Sequence, residues 1–177
     1  MFLDLLRQRR SIRKYQDKPV EPEKVEALVE AALRSPSSRG LNPWQFIVID
    51  QKPLLEKLAQ SKQHGSSFLK GAPLAIIVCA DDSTETWVED CSIASILVQM
   101  TAESIGLKSC WIQIRDRQHD RLVSARDFIA ETVNLPHNLN VEAIVAVGYP
   151  GEEKAPHKAE KLQYDKVWIN TYGQPYR

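Results

Sequence analysis

Arg9-Arg10-Ser11-Ile12-Arg13 gathers three guanidinium groups and a hydroxyl into five residues. Guanidinium groups offer paired N–H donors to phosphate oxygens, and the serine adds another, so the run has the chemistry to hold a dianion. On composition alone a solvated basic turn accounts for it at least as well. A second segment, Ser35-Pro36-Ser37-Ser38-Arg39-Gly40-Leu41-Asn42-Pro43-Trp44-Gln45-Phe46, combines hydroxyl donors, a glycine that admits close approach to the backbone, and amide side chains. Those are the ingredients of a polar-ligand loop and equally of a helix stop followed by a turn. The two segments gain weight only as parts of one site. Neither G-x-x-x-x-G-K-[ST] nor G-x-G-x-x-G occurs, which argues against a phosphate loop and a Rossmann dinucleotide site.

Metal and thiol chemistry find little support. His64, His119, His137 and His157 are isolated, and Cys79, Cys91 and Cys110 form no C-x-x-C pair, so no metal ligands are assigned and the thiols read as reduced. Cys110, Trp44 and Trp111 read as core residues, and His119 and His137 as solvated loop residues. With 23 basic and 23 acidic side chains in 177 residues, no net field draws nucleic acid or an acidic membrane surface. Yet Arg7, Arg9, Arg10, Arg13 and Lys14 crowd together in a neutral chain. An acid at Asp4 and short apolar runs are unlike a secretory signal or a membrane span, and cytoplasmic residence is the expectation.

These segments need elements to hold them. Phe2, Leu5 and Leu6 predict a short helix ending near Arg9, and Glu21-Pro22-Glu23 opens a second with Val25, Leu28, Val29, Ala32 and Leu33 as its apolar stripe. Trp44 to Ile49 reads as a strand, and Pro53 starts a helix. Leu74 to Ala80 has no polar member and predicts a strand buried on both faces. Val88 to Ile105 predicts a long helix buried nearly all round, in the domain centre or at a subunit interface, stopped by Gly106. A strand over Leu107 to Ile114, a helix over Ser124 to Val133 and a strand over Ala143 to Val147 complete an α/β or α+β alternation. Residues 1–177 read as one domain. Its tail, 151–177, lacks its own core and is expected to dock either on the body of its own chain or on a second subunit.

In order along the chain, Arg9-Arg10-Ser11-Ile12-Arg13-Lys14-Tyr15, Arg34-Ser35-Pro36-Ser37-Ser38, Asn42-Pro43-Trp44-Gln45-Phe46, Gly71-Ala72-Pro73-Leu74, Ile105-Gly106-Leu107-Lys108-Ser109-Cys110-Trp111-Ile112 and Ala146-Val147-Gly148-Tyr149-Pro150 together resemble the flavin-binding nitroreductase family. The resemblance spans nearly the whole chain and matches the compact branch of the family. It implies an α+β fold of three layers, α/β/α, around a mixed, largely antiparallel sheet, in an interlocked homodimer with FMN at the interface. It assigns Arg9 and Ser11 to the FMN phosphate and Arg10 and Arg13 to the N1 and O2 edge. Pro36, Ser37, Ser38, Gly40, Asn42, Pro43 and Trp44 map to the loop supplied by the other subunit. Gly40 stands where relatives carry asparagine and Asn42 where they carry glutamine, and Asn42 is assigned the vacated contact. Gln113 and Ile114 fall where relatives present backbone groups to flavin N5, with Ile114 replacing a small residue. Of the basic tail residues His157, Lys158 and Lys161, Lys158 is assigned to the phosphate.

The implied activity is ping-pong hydride transfer from NAD(P)H through FMN to a nitroaromatic, quinone or flavin acceptor, with no catalytic side chain. The alternatives are another flavin reaction on the same scaffold, namely dehydrogenation, dehalogenation or flavin fragmentation, and a flavin-binding protein without turnover.

Overall fold

The computed structural model describes residues 1–177. Four strands form its sheet: β1 (Trp44–Ile49), β2 (Leu74–Asp81), β3 (Lys108–Gln113) and β4 (Leu139–Gly148), in the order β1-β2-β4-β3. Every neighbouring pair is antiparallel, so the parallel part of the expected mixed sheet shrinks to one bridge between Ser11 and Ser109. β2 and β4 occupy the centre, and Leu74 to Ala80 is fully buried, as its unbroken apolar run predicts. β4 starts earlier than its apolar residues indicate, because Asn140 and Glu142 interrupt the hydrophobic pattern without ending the strand.

Helices cover both faces. On one, α2 (Pro22–Leu33) and α4 (Trp87–Ser104) bury Leu28, Ala32, Ala94, Val98 and Ala102 against Leu74, Ile76, Val78, Val145 and Val147. On the other, α3 (Lys52–Leu58), α5 (Ala125–Val133) and a 3-10 turn at Ser67–Gly71 bury Leu55, Leu58, Leu69 and Ile129 against Ile77, Ile112 and Ile144. These are the three expected layers. Pro at the first turn opens α2 and α3, and the Ser124 hydroxyl caps α5 by accepting from the Asp127 N–H. No helix is long and apolar enough to cross a membrane.

Three surfaces stay uncovered in the single chain. α4 is not buried all round within one chain, since Ile93 and Ile96 are exposed, and α1 (Phe2–Gln8) leaves Phe2, Leu3 and Leu6 uncovered. The tail beyond Glu152 is exposed almost throughout, including Leu162, Trp168, Tyr172 and Tyr176. His119 is not a freely solvated side chain: its ring stacks on Phe128 at 4.1 Å and its Nδ1 lies 2.7 Å from the Gln60 carbonyl.

Candidate functional site

α1 delivers the arginine run to the free edge of β3. There the Ile12 N–H donates to the Ser109 carbonyl at 3.1 Å, and Ser11 bridges Ser109. Behind it, the half-buried Tyr15 hydroxyl donates to the Ile12 carbonyl at 2.7 Å and to the Ala146 carbonyl of β4 at 3.3 Å, the second contact tying the segment to the sheet, and burial pushes its pKa up. Gly151 lies against the backbone of Lys14 and Tyr15, where a Cβ would come within 2.9 Å of Tyr15, and the Gly151 N–H donates to the Lys14 carbonyl at 2.8 Å. Thus the backbone is fixed while the cations stay available. The Arg9 and Arg13 guanidinium groups have neither a hydrogen bond nor an ion pair, although Arg9 is half-buried and Arg13 lies 5.8 Å over the Phe68 ring. Arg10 donates to the Ala155 carbonyl.

Two lysines that sequence reasoning did not select join the same edge. The Lys154 ammonium donates to the Ser11 carbonyl at 2.9 Å and pairs with Glu152 at 3.0 Å. Lys62 donates to the Gln113 carbonyl at 3.0 Å, and burial, followed by the nearby Arg117 cation, lowers its pKa. Glu152 also accepts from the Arg13 N–H at 2.7 Å, so this carboxylate is already engaged. Lys158, by contrast, is exposed, precedes a 3-10 turn at Ala159–Lys161 and has no partner; His157 and Lys161 are exposed as well. No sequence signal distinguished Lys62 or Lys154, since both act through contacts distant along the chain.

The second segment folds into a compact loop. Arg39, Gly40 and Asn42 all adopt positive φ, which Gly40 and Asn42 tolerate best. The Ser37 hydroxyl donates to Asn42 Oδ1 at 2.7 Å and accepts from the Asn42 N–H at 2.9 Å. Asp90, buried in α4, holds the loop by accepting from the Ser38 N–H at 2.9 Å and the Thr86 hydroxyl at 3.1 Å. Pro43 leads directly into the buried Trp44. This loop enters β1 at the corner of the sheet diagonally opposite Ser11. With strands about 4.8 Å apart and residues about 3.3 Å apart along them, the Ser109 end of β3 and Trp44 at the start of β1 are roughly 25 Å from one another. One chain therefore does not unite the two segments.

At the far end of β3, the Ile114 side chain is buried and its N–H donates to the Glu142 carbonyl at 3.1 Å. The Gln113 amide accepts from the Trp111 indole N–H at 2.9 Å. Cys110 is buried beneath the arginine run, and that burial raises its pKa despite the neighbouring Arg13. A cavity of about 490 Å³ lies elsewhere, between Gln16–Val20, Asp50 and Lys70–Leu74, and includes none of the assigned site residues.

The nitroreductase family model matches residues 6–149, which contain both loops and all four strands. The chain belongs to the nitroreductase family. It is 44% identical to an FMN-dependent nitroreductase from Clostridium difficile R20291 whose structure superposes with a TM-score of 0.94, covering 96% of this chain and 99% of that one. It is 37% identical over 174 residues to a protein of Methanothermobacter thermautotrophicus provisionally named NADH dehydrogenase/NAD(P)H nitroreductase, covering 96% of this chain and 87% of the relative. A structure from Bacteroides thetaiotaomicron under the same provisional name superposes with a TM-score of 0.88 at 29% identity, covering 97% of this chain and 98% of that one. The two solved structures share the α+β fold described above.

Proposed function

We propose that this nitroreductase-family chain is an FMN-dependent NAD(P)H oxidoreductase acting as a homodimer, with nitroaromatic, quinone or flavin compounds as acceptors. The observation that carries the reading is the unpaired guanidinium groups of Arg9 and Arg13 beside Ser11, on a backbone tied at both ends to the sheet. Arg9 is half-buried without a counter-charge and Arg13 is exposed over the Phe68 ring, so both are free to take up an anion, and a cofactor phosphate has the required charge and geometry. The names of the similar proteins, FMN-dependent nitroreductase and NADH dehydrogenase/NAD(P)H nitroreductase, support the same reading.

When bound, FMN supplies the two-electron redox chemistry, and the protein supplies binding, orientation and charge. Arg9 and Ser11 would hold the phosphate, while Arg10 and Arg13 would face the N1 and O2 edge, where positive charge offsets the negative charge that two-electron reduction adds. Lys158 is the tail residue assigned to the phosphate, and Lys154 already stands beside Ser11. Ser37, Ser38, Gly40 and Asn42 would be contributed by the second copy, with Pro36 shaping the loop. The roughly 25 Å between corners supports that division of labour. Gln113 and Ile114 would line the ring system; with the Ile114 N–H bonded to Glu142, Gln113 would be the better source of a backbone contact.

The exposed Ile93, Ile96, Phe2, Leu3 and Leu6 and the uncovered tail support a second subunit packing there. NAD(P)H and acceptor would use one open face in turn, giving ping-pong kinetics, and acceptor protonation would come from solvent. Steady-state initial rates at several fixed NADH concentrations test this: parallel double-reciprocal lines are expected, and intersecting lines contradict the ping-pong scheme.

A further inference from the structure

β4 carries one residue too many. Val78 of β2 faces Ala143, but Cys79 faces Val141, so Glu142 is the extra residue of a β-bulge. Bulges redirect a side chain and bend the strand, and they recur beside functional sites. Here the bulge occurs where β3 ends. The Glu142 carbonyl accepts from both the Ile114 and Arg115 N–H groups at 3.1 Å, and its carboxylate reaches the residues flanking them. Gln113 Nε2 donates to Glu142 Oε1 at 3.4 Å, and Gln113 Oε1 accepts from the Trp111 indole at 2.9 Å. Arg115 Nε lies 3.2 Å from Glu142 Oε2, poorly aligned for a hydrogen bond. A buried carboxylate is costly, and nothing in strand packing requires a charge at this position.

We propose that Glu142 is a positioning residue for the site, fixing through Gln113 the strand end along which the ring system of the cofactor would lie. The inference rests on the flavin reading above. The Glu142 carboxylate, together with the Arg115 carbonyl that accepts from Gln113 Nε2 at 3.3 Å, keeps the Gln113 amide turned with its N–H group inward and its oxygen toward Trp111, and the Glu142 carbonyl holds the main-chain N–H groups of Ile114 and Arg115. The charged or titratable groups facing Glu142 are Arg115 and Asp116 after β3 and Cys91 from α4. Burial raises its pKa above the usual carboxylate value, opposed by Gln113 and Arg115. Protonation would weaken the acceptor for Gln113, as would Glu142→Gln, whose amide cannot accept from Gln113 without turning its own N–H group toward Arg115.

Two readouts test this. In the flavin-free protein, the indole N–H resonance of Trp111, assigned by loss in Trp111→Phe, should move with pH on the acid side of neutrality in the wild type and remain still in Glu142→Gln. In the FMN-loaded protein, Glu142→Gln should bind FMN within about threefold of wild type yet be reduced by NADH about tenfold more slowly at pH 7. Wild-type reduction should slow on acidification toward the variant's rate. Gln113→Leu with Glu142→Gln should be no slower than the slower single variant, because residues acting through one another are non-additive. A Trp111 resonance insensitive to pH in the wild type, a wild-type rate without an acid limb, or additive losses overturns the proposal. If the wild type takes up no FMN, the flavin reading fails and this role falls with it; normal FMN uptake with an unaltered Glu142→Gln removes this role alone.

Discussion

Ser11 and Trp44 stand at diagonally opposite corners of the sheet. Ser11 bridges Ser109 on the β3 edge, and Trp44 opens β1 on the other edge, opposite Ala80 of β2. The arginine run at the Ser11 corner and the loop that enters at Trp44 carry the donors of the proposed site, so on that proposal the Trp44 corner of one copy would sit beside the Ser11 corner of another. In solution the protein should run at about twice its 20.1 kDa chain mass. Ile93→Glu with Ile96→Glu places charge on the uncovered face of α4 and should give a monomer that loses FMN. Sedimentation and flavin fluorescence check this; a monomer that holds FMN as tightly as wild type contradicts the shared site.

Arg9→Ala and Arg13→Ala each remove an unpaired guanidinium that is available to the ligand. Each should weaken FMN binding about 10- to 100-fold, the scale of a charge-assisted hydrogen bond. Titration of apoprotein with FMN measures the effect, and unchanged affinity in both variants assigns the run to a surface turn.

Asp90→Ala strips the buried acceptor from the Ser38 N–H and the Thr86 hydroxyl. Leaving the donors unsatisfied costs about 1–3 kcal/mol. Urea denaturation should read that loss, together with weaker FMN retention as the loop is released. Full stability in this variant would mean that Asp90 does not anchor the loop.

Glu21 accepts from the Tyr149 hydroxyl at 2.7 Å, and this hydrogen bond, aided by Lys18, lowers its pKa from 4.5 to about 2. A carboxylate with a depressed folded pKa stabilises the fold above its unfolded pKa and loses that contribution as pH falls through the folded one. Wild-type stability should therefore drop more steeply than that of Glu21→Gln between pH 4.5 and 2. Parallel acid-denaturation curves would remove this contribution.

The parts of the fold that were legible in the sequence are those with local causes. β2 was readable because seven apolar residues bounded by Pro73 and Asp81 suit a doubly covered strand, and the arginine run because its donors are adjacent. The beginning of β4 was hidden since the bulge places polar Glu142 inside a strand. Lys62, Lys154 and Asp90 carried no local signal: each meets its partners only once the β3 edge or the α4 N-terminus has formed. The all-round apolar character of α4 was visible, but the sequence alone did not separate core from interface, and exposed Ile93 and Ile96 now mark which face is left.

The most direct measurement is the absorbance spectrum of the purified protein, reconstituted with FMN and then mixed anaerobically with NADH or NADPH. Bound flavin should give its visible bands, and one of the two nucleotides should bleach them. A protein that takes up no FMN, or a bound flavin that neither nucleotide reduces, would contradict the oxidoreductase account.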